Sequence, residues 1–399
     1  MSIIQQASLD LNSPFKERGA DYIITGAGCA GLSLVLHMIR SGALGDKRVL
    51  LIDKDIKQSN DRTWCFWEEK AGLFEPVVYR QWQKLWFHAH GFSKELDIAP
   101  YRYKLIRGID FYNYCLDEIK KQPNITFLQA SVERIFSNDK EGTGCVADGI
   151  TYKSNFLFNS ILFQKPILKP HQYWLLQHFK GWVIEADEPV FDAASGTLMD
   201  FRTDQSKGAT FFYVLPFSPH KALIEYTLFS KELLPQEAYT TALKTYIKNQ
   251  LKLTSYTVVE EETGVIPMSN FSFPSVQNNM IHMGTAGGQT KASSGYTFRF
   301  IQKQAAAIAE SLQQKGHPFT LQRHSKRFHF YDSILLHILQ HNTLNGDAIF
   351  ADLFEKNKAR QVLKFLDNET SLAEELGIIS TLPTWPFLKA AIKQVKASV

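Results

Sequence analysis

Hydrophobic positions follow two different rhythms along this chain. In the first third, short unbroken apolar runs alternate with stretches of helical spacing. Asp21-Tyr-Ile-Ile-Thr25 reads as a strand buried on both faces, Leu32 to Arg40 as a helix and Arg48 to Ile52 as a second strand. An amphipathic helix over 110–120 precedes strands at 125–129 and 132–137. A hairpin over 144–152 turns at Asp148-Gly149, and a buried strand covers 155–162. From about residue 168 to 268 the rhythm becomes alternation: Gly181 to Ala186, Thr210 to Leu215 and Lys221 to Leu228 predict antiparallel strands, interrupted by one helix over 235–249. A strand at Met280 returns to the first pattern. The rest is helical, over 296–315, 323–341, 347–367 and 385–396.

Glycine gives the first rhythm its chemistry. Gly26-Ala-Gly28-Cys-Ala30-Gly31 joins the first strand to the first helix, and Asp53 closes the second strand. Gly26 suits a tight turn, Gly28 a close approach of backbone to a pyrophosphate, and Gly31 close packing of helix on strand. The helix N-terminus offers unpaired N–H groups to the anion, and Asp53 is placed to accept from ribose hydroxyls. A second cluster, Gly284-Thr285-Ala286-Gly287-Gly288, again stands between a strand and a long helix. Two backbone approaches suit one extended cofactor, which favours FAD over NAD. The expected fold is therefore α/β: an FAD-binding Rossmann-like domain with an inserted antiparallel β-sheet substrate region and a helical C-terminal region. Its divisions are 20–167 and 269–315 for the cofactor domain, 168–268 for the sheet and 316–399 for the helices.

Composition narrows the partners. Aromatic residues make up 13% of the 399, with 29 Phe, 15 Tyr and 7 Trp, a supply of rings that suits a large apolar or cationic species. The formal charge is only +4, and no basic stripe interleaves with aromatics, which argues against nucleic acid. Cys29, Cys65, Cys115 and Cys145 form no CxxC pair and read as reduced thiols of a cytoplasmic protein. His337 and His341 stand four apart without a third ligand, so no metal is expected. Residues 1–20 lack the apolar core of a signal peptide, and no uncharged apolar run reaches the roughly eighteen residues of a membrane span, which leaves peripheral contact. Thr384 to Lys396 mixes Trp385, Phe387, Leu388 and Ile392 with Lys389, Lys393 and Lys396. That mixture suits both an interfacial helix and one docked on the domain.

Several motifs then stand together: Asn60-Asp-Arg-Thr-Trp-Cys-Phe66, Gly181-Trp-Val-Ile-Glu-Ala-Asp-Glu-Pro189, Leu198-Met-Asp-Phe201, Phe212-Tyr-Val-Leu-Pro216, Ala222-Leu-Ile-Glu-Tyr-Thr227, Glu261-Glu-Thr-Gly-Val-Ile-Pro-Met268 and Ser294-Gly-Tyr-Thr297. With the glycine clusters, they resemble the bacterial flavoprotein type of lycopene cyclase over most of residues 20–390. The resemblance implies closure of the linear end groups of a carotenoid to β-ionone rings, without net redox change. It implies reduced FAD as cofactor, NAD(P)H only as its reductant, and a membrane surface as the source of substrate. It also makes Glu225 the catalytic acid. This chain has Tyr226 after that glutamate, Asn159-Ser160 where the family has Asp-Ala, and Gly284-Thr285 where related hydroxylases have Gly-Asp.

The residues lend Glu225 support of their own, although the strand by itself reads more simply as an edge with its glutamate pointing to water. Apolar and aromatic side chains surround it in sequence, and strand alternation puts Leu223, Glu225 and Thr227 on one face. A carboxyl desolvated among rings stays protonated nearer neutrality. Phe212, Tyr213 and Tyr226 are candidates to face a substrate cation, although core packing explains them as well. Glu260-Glu-Glu262 reads as a solvated turn from which Glu262 could partner Glu225. Rival readings are a flavin monooxygenase, a prenyl-chain reductase and a non-catalytic carotenoid-assembly flavoprotein.

Overall fold

The computed structural model of the protein describes residues 19–320 and 325–398. Residues 1–18, where no targeting signal is expected, and 321–324, where the helix expected from 323 would begin, lie outside the described residues. The chain opens with β1 (Ala20–Thr25), α1 (Cys29–Ser41) and β2 (Val49–Asp53). Five strands follow: β3 (Thr63–Glu68), β4 (Arg80–Trp82), β5 (Lys84–Ala89), β6 (Phe92–Asp97) and β7 (Arg102–Arg107). After α2 (Gly108–Lys120) come β8 (Ile125–Gln129), β9 (Val132–Asn138), β10 (Gly142–Ala147) and β11 (Ile150–Asn159). The next group is β12 (Trp174–Ala186), β13 (Ser195–Asp200), β14 (Ala209–Pro216), β15 (Lys221–Ser230), α3 (Gln236–Asn249) and β16 (Tyr256–Ser269). Two short strands, β17 (Val276–Gln277) and β18 (Met280–His282), lead through a 3-10 turn at Gly284–Gly287 to α4 (Phe298–Lys315). The chain ends in α5 (Lys326–Gln340), α6 (Gly346–Lys356), α7 (Ala359–Leu366), α8 (Leu372–Ile379) and α9 (Thr384–Ser398).

Continuous apolar runs become the parallel sheet. Its order is β17-β18-β11-β1-β2-β8, with the β9–β10 hairpin joined to β11, and β1 pairs in parallel with both β2 and β11. Ile23 and Ile24 of β1 are fully buried because helices or the hairpin cover both faces. Ala30, Leu32, Leu34, Val35, Leu36 and Met38 of α1 are buried against this sheet and α4. At about 1.5–3 kcal/mol for each fully buried large apolar side chain, that packing outweighs the weak helix propensity of a glycine-led helix.

The alternating runs form a second sheet, ordered β16-β12-β15-β14-β13-β5-β6. Here the expected division at residue 168 does not separate the sheets. β5 and β6 come from the first part of the chain and extend the second sheet through a parallel pairing of β5 with β13. A third sheet, β3-β7-β4, is built from the strands that flank β5 and β6 in the chain. The C-terminal helices pack on the outer half of the seven-stranded sheet, where Phe354 stacks on Phe87 at 4.8 Å and Phe350 on Phe201 at 5.7 Å. The helix expected over 347–367 is two helices, because Asn357 and Lys358 are extended, with ψ of 159° and 131°. The helix expected from Tyr296 begins at Phe298, after the left-handed Gly295.

Candidate active site

The first glycine loop is built to leave space. A Cβ at Gly31 would stand 1.9 Å from the Gly26 carbonyl oxygen, so only glycine lets α1 begin this close to β1. No atom lies within 4 Å of where a Cβ on Gly28 would sit, and no side chain caps the N-terminus of α1. The first-turn N–H groups therefore face an open cradle, which fits a pyrophosphate. Asp53 accepts from the Ala27 N–H at 2.6 Å and the Asp55 N–H at 2.8 Å, with Lys57 at 3.4 Å. It braces the loop while its carboxylate keeps lone pairs for ribose hydroxyls.

The second glycine cluster meets the first. A Cβ at Gly284 would lie 2.9 Å from Ala30 Cβ, and both segments line one cavity of about 640 Å³. Thr285 is on that cavity's wall as well, whereas Ala286 is buried behind it and Gly287 and Gly288 border a neighbouring cavity of about 510 Å³. Asn159 and Ser160 hold the two loops in register. The Thr25 hydroxyl donates to Asn159 Oδ1 at 2.8 Å, Asn159 Nδ2 lies 3.1 Å from His282 Nδ1, and the Ser160 hydroxyl donates to the Thr25 carbonyl at 2.9 Å. Farther along the cavity, the buried Gln177 Oε1 receives no donor among the described residues and lies beside Gly295. An extended cofactor with a polar ring edge fits that arrangement.

Glu225 lies on the wall of the larger cavity, and its exposed part faces that space. Burial pushes its carboxyl well above the usual carboxylate range, and repulsion from Glu262 adds to the effect. The Thr227 hydroxyl donates to Glu225 Oε1 at 2.8 Å. Glu262 is not on the cavity wall but behind Glu225, 8% exposed, with Thr63 donating to its Oε2 at 2.8 Å. The expected solvated turn at 260–262 is a correction: these residues are mid-strand in β16, because they pair along β12. Only Glu261 points to solvent, with Lys180 at 3.2 Å, while Asn60 donates to Glu260 Oε2 at 2.9 Å. The Asn60-Asp-Arg-Thr63 motif thus grips the acids from the facing sheet.

Of the three aromatic candidates, Tyr213 lines the cavity and the other two do not. Phe212 and Tyr226 alternate to the opposite face, where Phe212 stacks on Tyr246 at 3.8 Å and lies 5.0 Å from Tyr226. A period-two strand places immediate neighbours of Tyr213 and Glu225 away from both. Besides Trp64, Tyr239 and Phe298, the cavity is bordered by Tyr103 and Tyr296, with the Tyr213 and Tyr296 hydroxyls 3.4 Å apart. Neither was singled out from the sequence. Tyr296 sat in a quoted motif, and Tyr103 lies in β7, whose pattern predicted no strand. Arg62, Cys65 and Phe179 also line the cavity.

The last helix, α9, is docked on the domain along one side. Ala390 and Gln394 are buried, and Gln394 donates to the Tyr173 hydroxyl at 2.8 Å. Trp385, Leu388, Ile392 and Val395 form an exposed stripe, with Trp385 71% exposed. His337 Nδ1 is 2.7 Å from the Tyr173 hydroxyl. Among the described residues no cluster of three or more His, Cys, Asp and Glu could hold a metal ion, and no helix is long and apolar enough to cross a membrane.

Comparison with known proteins adds three findings. The family model described as lycopene cyclase protein matches residues 21–392. Among curated relatives, neoxanthin synthase of Solanum tuberosum is 26% identical over 318 residues, which cover 73% of this chain and 60% of that protein. Lycopene beta-cyclase of Pantoea ananas is 25% identical over 306 residues, 73% of each chain. Among solved structures, a flavoprotein/dehydrogenase from Cytophaga hutchinsonii superposes with a TM-score of 0.62 over 95% of this chain and 100% of that one, at 12% identity. The fold is that of flavoprotein oxidoreductases.

Proposed function

The chain belongs to the lycopene cyclase family, and on that premise we propose that it is a lycopene β-cyclase, closing the linear end groups of lycopene to β-ionone rings. The observation that carries the reading is Glu225: a carboxyl held protonated by burial, on the wall of a cavity that reaches both glycine clusters. Glu225 protonates the terminal double bond of an end group. The nearby double bond then closes a six-membered ring on the cation, and the ring sheds a proton, so no electrons are gained or lost. Tyr213, Tyr103 and Tyr296 present ring faces or edges to that space and exclude water from the cation. Burial pushes the Tyr213 and Tyr103 hydroxyls well up, so they stay neutral beside it.

The proposed cofactor is FAD, held by Gly26, Gly28, Ala30, Gly31 and Asp53 and, where the second glycine cluster meets the first, by Gly284 and Thr285. When bound in its reduced form it supplies negative charge beside the reacting end group, with NAD(P)H needed only to keep it reduced. The substrate comes from a membrane surface, against which the Trp385 to Val395 stripe of α9 and its Lys389, Lys393 and Lys396 would lie. Removing residues after Leu382 should abolish co-sedimentation with liposomes, and unchanged binding would remove α9 from this role.

Pigment analysis of a lycopene-accumulating host expressing the chain tests the whole reading. Cyclic carotenoid is expected, and lycopene left unchanged counts against it. Anaerobic incubation of the flavin-loaded protein should form product without stoichiometric loss of NAD(P)H, and stoichiometric loss would instead indicate a redox enzyme.

A further inference from the structure

Three adjacent strands of the seven-stranded sheet share one gap. Gly181 of β12 is directly opposite Glu225 of β15 on one side and Glu262 of β16 on the other. A Cβ at Gly181 would stand 3.0 Å from both Glu262 Cγ and Leu223 Cδ1, and 3.2 Å from Glu262 Oε1. The Glu262 side chain therefore lies across the backbone of Gly181, toward β15, where the Glu225 carboxyl is within hydrogen-bonding reach. Each carboxyl has one hydroxyl donor on its outer side, Thr227 for Glu225 and Thr63 for Glu262. The inner oxygen of Glu262, Oε1, is buried and receives no donor from any other side chain among the described residues. Two ionised carboxylates can only accept, so the contact becomes a hydrogen bond only when one of them carries a proton.

We infer that Glu262 is a positioning residue that shares a single proton with Glu225 across Gly181, with Glu225 holding it toward the cavity and Glu262 ionised behind. Like-charged carboxyls this close do not both ionise near neutrality, so the pair retains one proton through the range in which the protein works. Thr63 is placed to hold the charge on Glu262 as Thr227 is on Glu225, so the proton can pass between them. The remaining titratable neighbours do not take it over: Tyr213, Tyr103, Tyr296 and Cys65 are kept neutral by burial. Glu260, tied to Asn60, and Asp61, tied to Arg62, are the outer charges around Glu262. In turnover the Glu225 O–H bond breaks as the substrate C–H bond forms, and the proton released by the ring restores the pair. What the proton is used for rests on the cyclase reading; that it is shared does not.

The test is infrared titration of the flavin-loaded protein without substrate, followed by the pH profile of cyclisation. Wild type should show the C=O band of a protonated carboxylic acid persisting above the normal carboxylate range, and Glu225→Gln should remove it. Glu262→Gln keeps the volume and removes the charge. Its midpoint should fall by at least about one pH unit, and the alkaline limb of cyclisation should fall with it, a loss of about tenfold on that limb. Glu262→Asp, which keeps the charge, should recover part of the shift. Thr63→Val should move the midpoint upward, because the one-proton pair can answer the lost donor by passing its proton to Glu262 whereas the doubly ionised pair cannot; this sign does not depend on Glu262→Gln folding. No band in wild type, or a midpoint indifferent to both Glu262→Gln and Thr63→Val, overturns the shared proton. A band with these shifts in a protein that makes no cyclic product overturns the cyclase reading alone.

Discussion

On the α3 side of the seven-stranded sheet, the titratable groups are matched. His178 Nδ1 lies 2.6 Å from the Tyr239 hydroxyl and Nε2 lies 2.7 Å from that of Ser230, while Asp200 accepts from Tyr246 at 2.6 Å and from Arg202 at 2.7 Å. On the cavity side, reached by moving one residue along the same strands, Gln177 Oε1 is buried without a donor among the described residues, and Glu262 Oε1 without one other than Glu225. An unsatisfied buried acceptor costs about 1–3 kcal/mol. Both sides are rich in rings, so aromatic content does not distinguish them. The contrast lies in what is left unmatched among the described residues: on the α3 face the indole N–H of Trp182, and on the cavity face two acceptors that a proton and a ligand would complete.

The largest expected effect comes from the cavity face. Glu225→Gln preserves shape and should leave flavin binding intact while lowering cyclic product about 10²–10⁴-fold, the usual contribution of a general acid. Carotenoid chromatography with a flavin absorbance control reads both. Retained turnover would remove Glu225 from the mechanism. Its counterpart on the opposite face is Phe212→Ala, which empties a ring stacked on Tyr246. This change should destabilise the protein by about 3–5 kcal/mol. Activity per folded, flavin-bearing molecule should hold. A loss of specific activity with unchanged melting would mean that the two faces are not separate in function.

A smaller effect sharpens the same boundary. Tyr213→Leu removes a cavity ring and should slow cyclisation by about 2–30-fold, as expected for a cation–π contribution of about 0.5–2 kcal/mol. Tyr226→Leu should leave the rate per folded molecule unchanged despite sitting next to Glu225 in sequence. Equal effects at the two positions would sink the assignment of tyrosines to the cavity.

That pair also shows what was legible in the sequence. β1, α1 and β2, the hairpin at Asp148-Gly149 and α3 follow from local periodicity and turn chemistry, and their positions were readable. Glu225 stood out through the motif it shares with the cyclases, since its strand alone reads equally as an edge with a glutamate pointing to water. Phe212 and Tyr226 were misplaced because nearness in sequence means opposite faces in a strand. β3, β5 and β7 are as long as β1 but went unread, and they take partners distant in the chain: β5 pairs with β13, and Thr63 of β3 reaches Glu262. The cavity wall depends on these long-range pairings, which no local pattern encodes. The break at Asn357 was hidden because both halves of the 347–367 stretch keep helical spacing.

The smallest expected effect concerns pH and the α3 face. Burial lowers the His178 pKa from 6.5 to about 4, so the ring is neutral in the fold while its unfolded counterpart charges near 6.5. As pH falls below 6.5 the unfolded state binds the proton first and the folded state loses stability. The loss continues to about pH 4, below which both states are charged and this contribution no longer changes. Other groups titrate in the same range, including His337, lowered to about 4 by burial, and Asp367, raised to about 6 by burial. The comparison must therefore be between wild type and His178→Gln, melted in parallel from pH 7 to pH 4. The variant should start less stable, having lost a ring fitted between two hydroxyls, and its melting temperature should fall less steeply with acid, so that the two curves converge. Parallel curves would show that His178 is not held neutral, and the α3 face would then be no better matched than the cavity face.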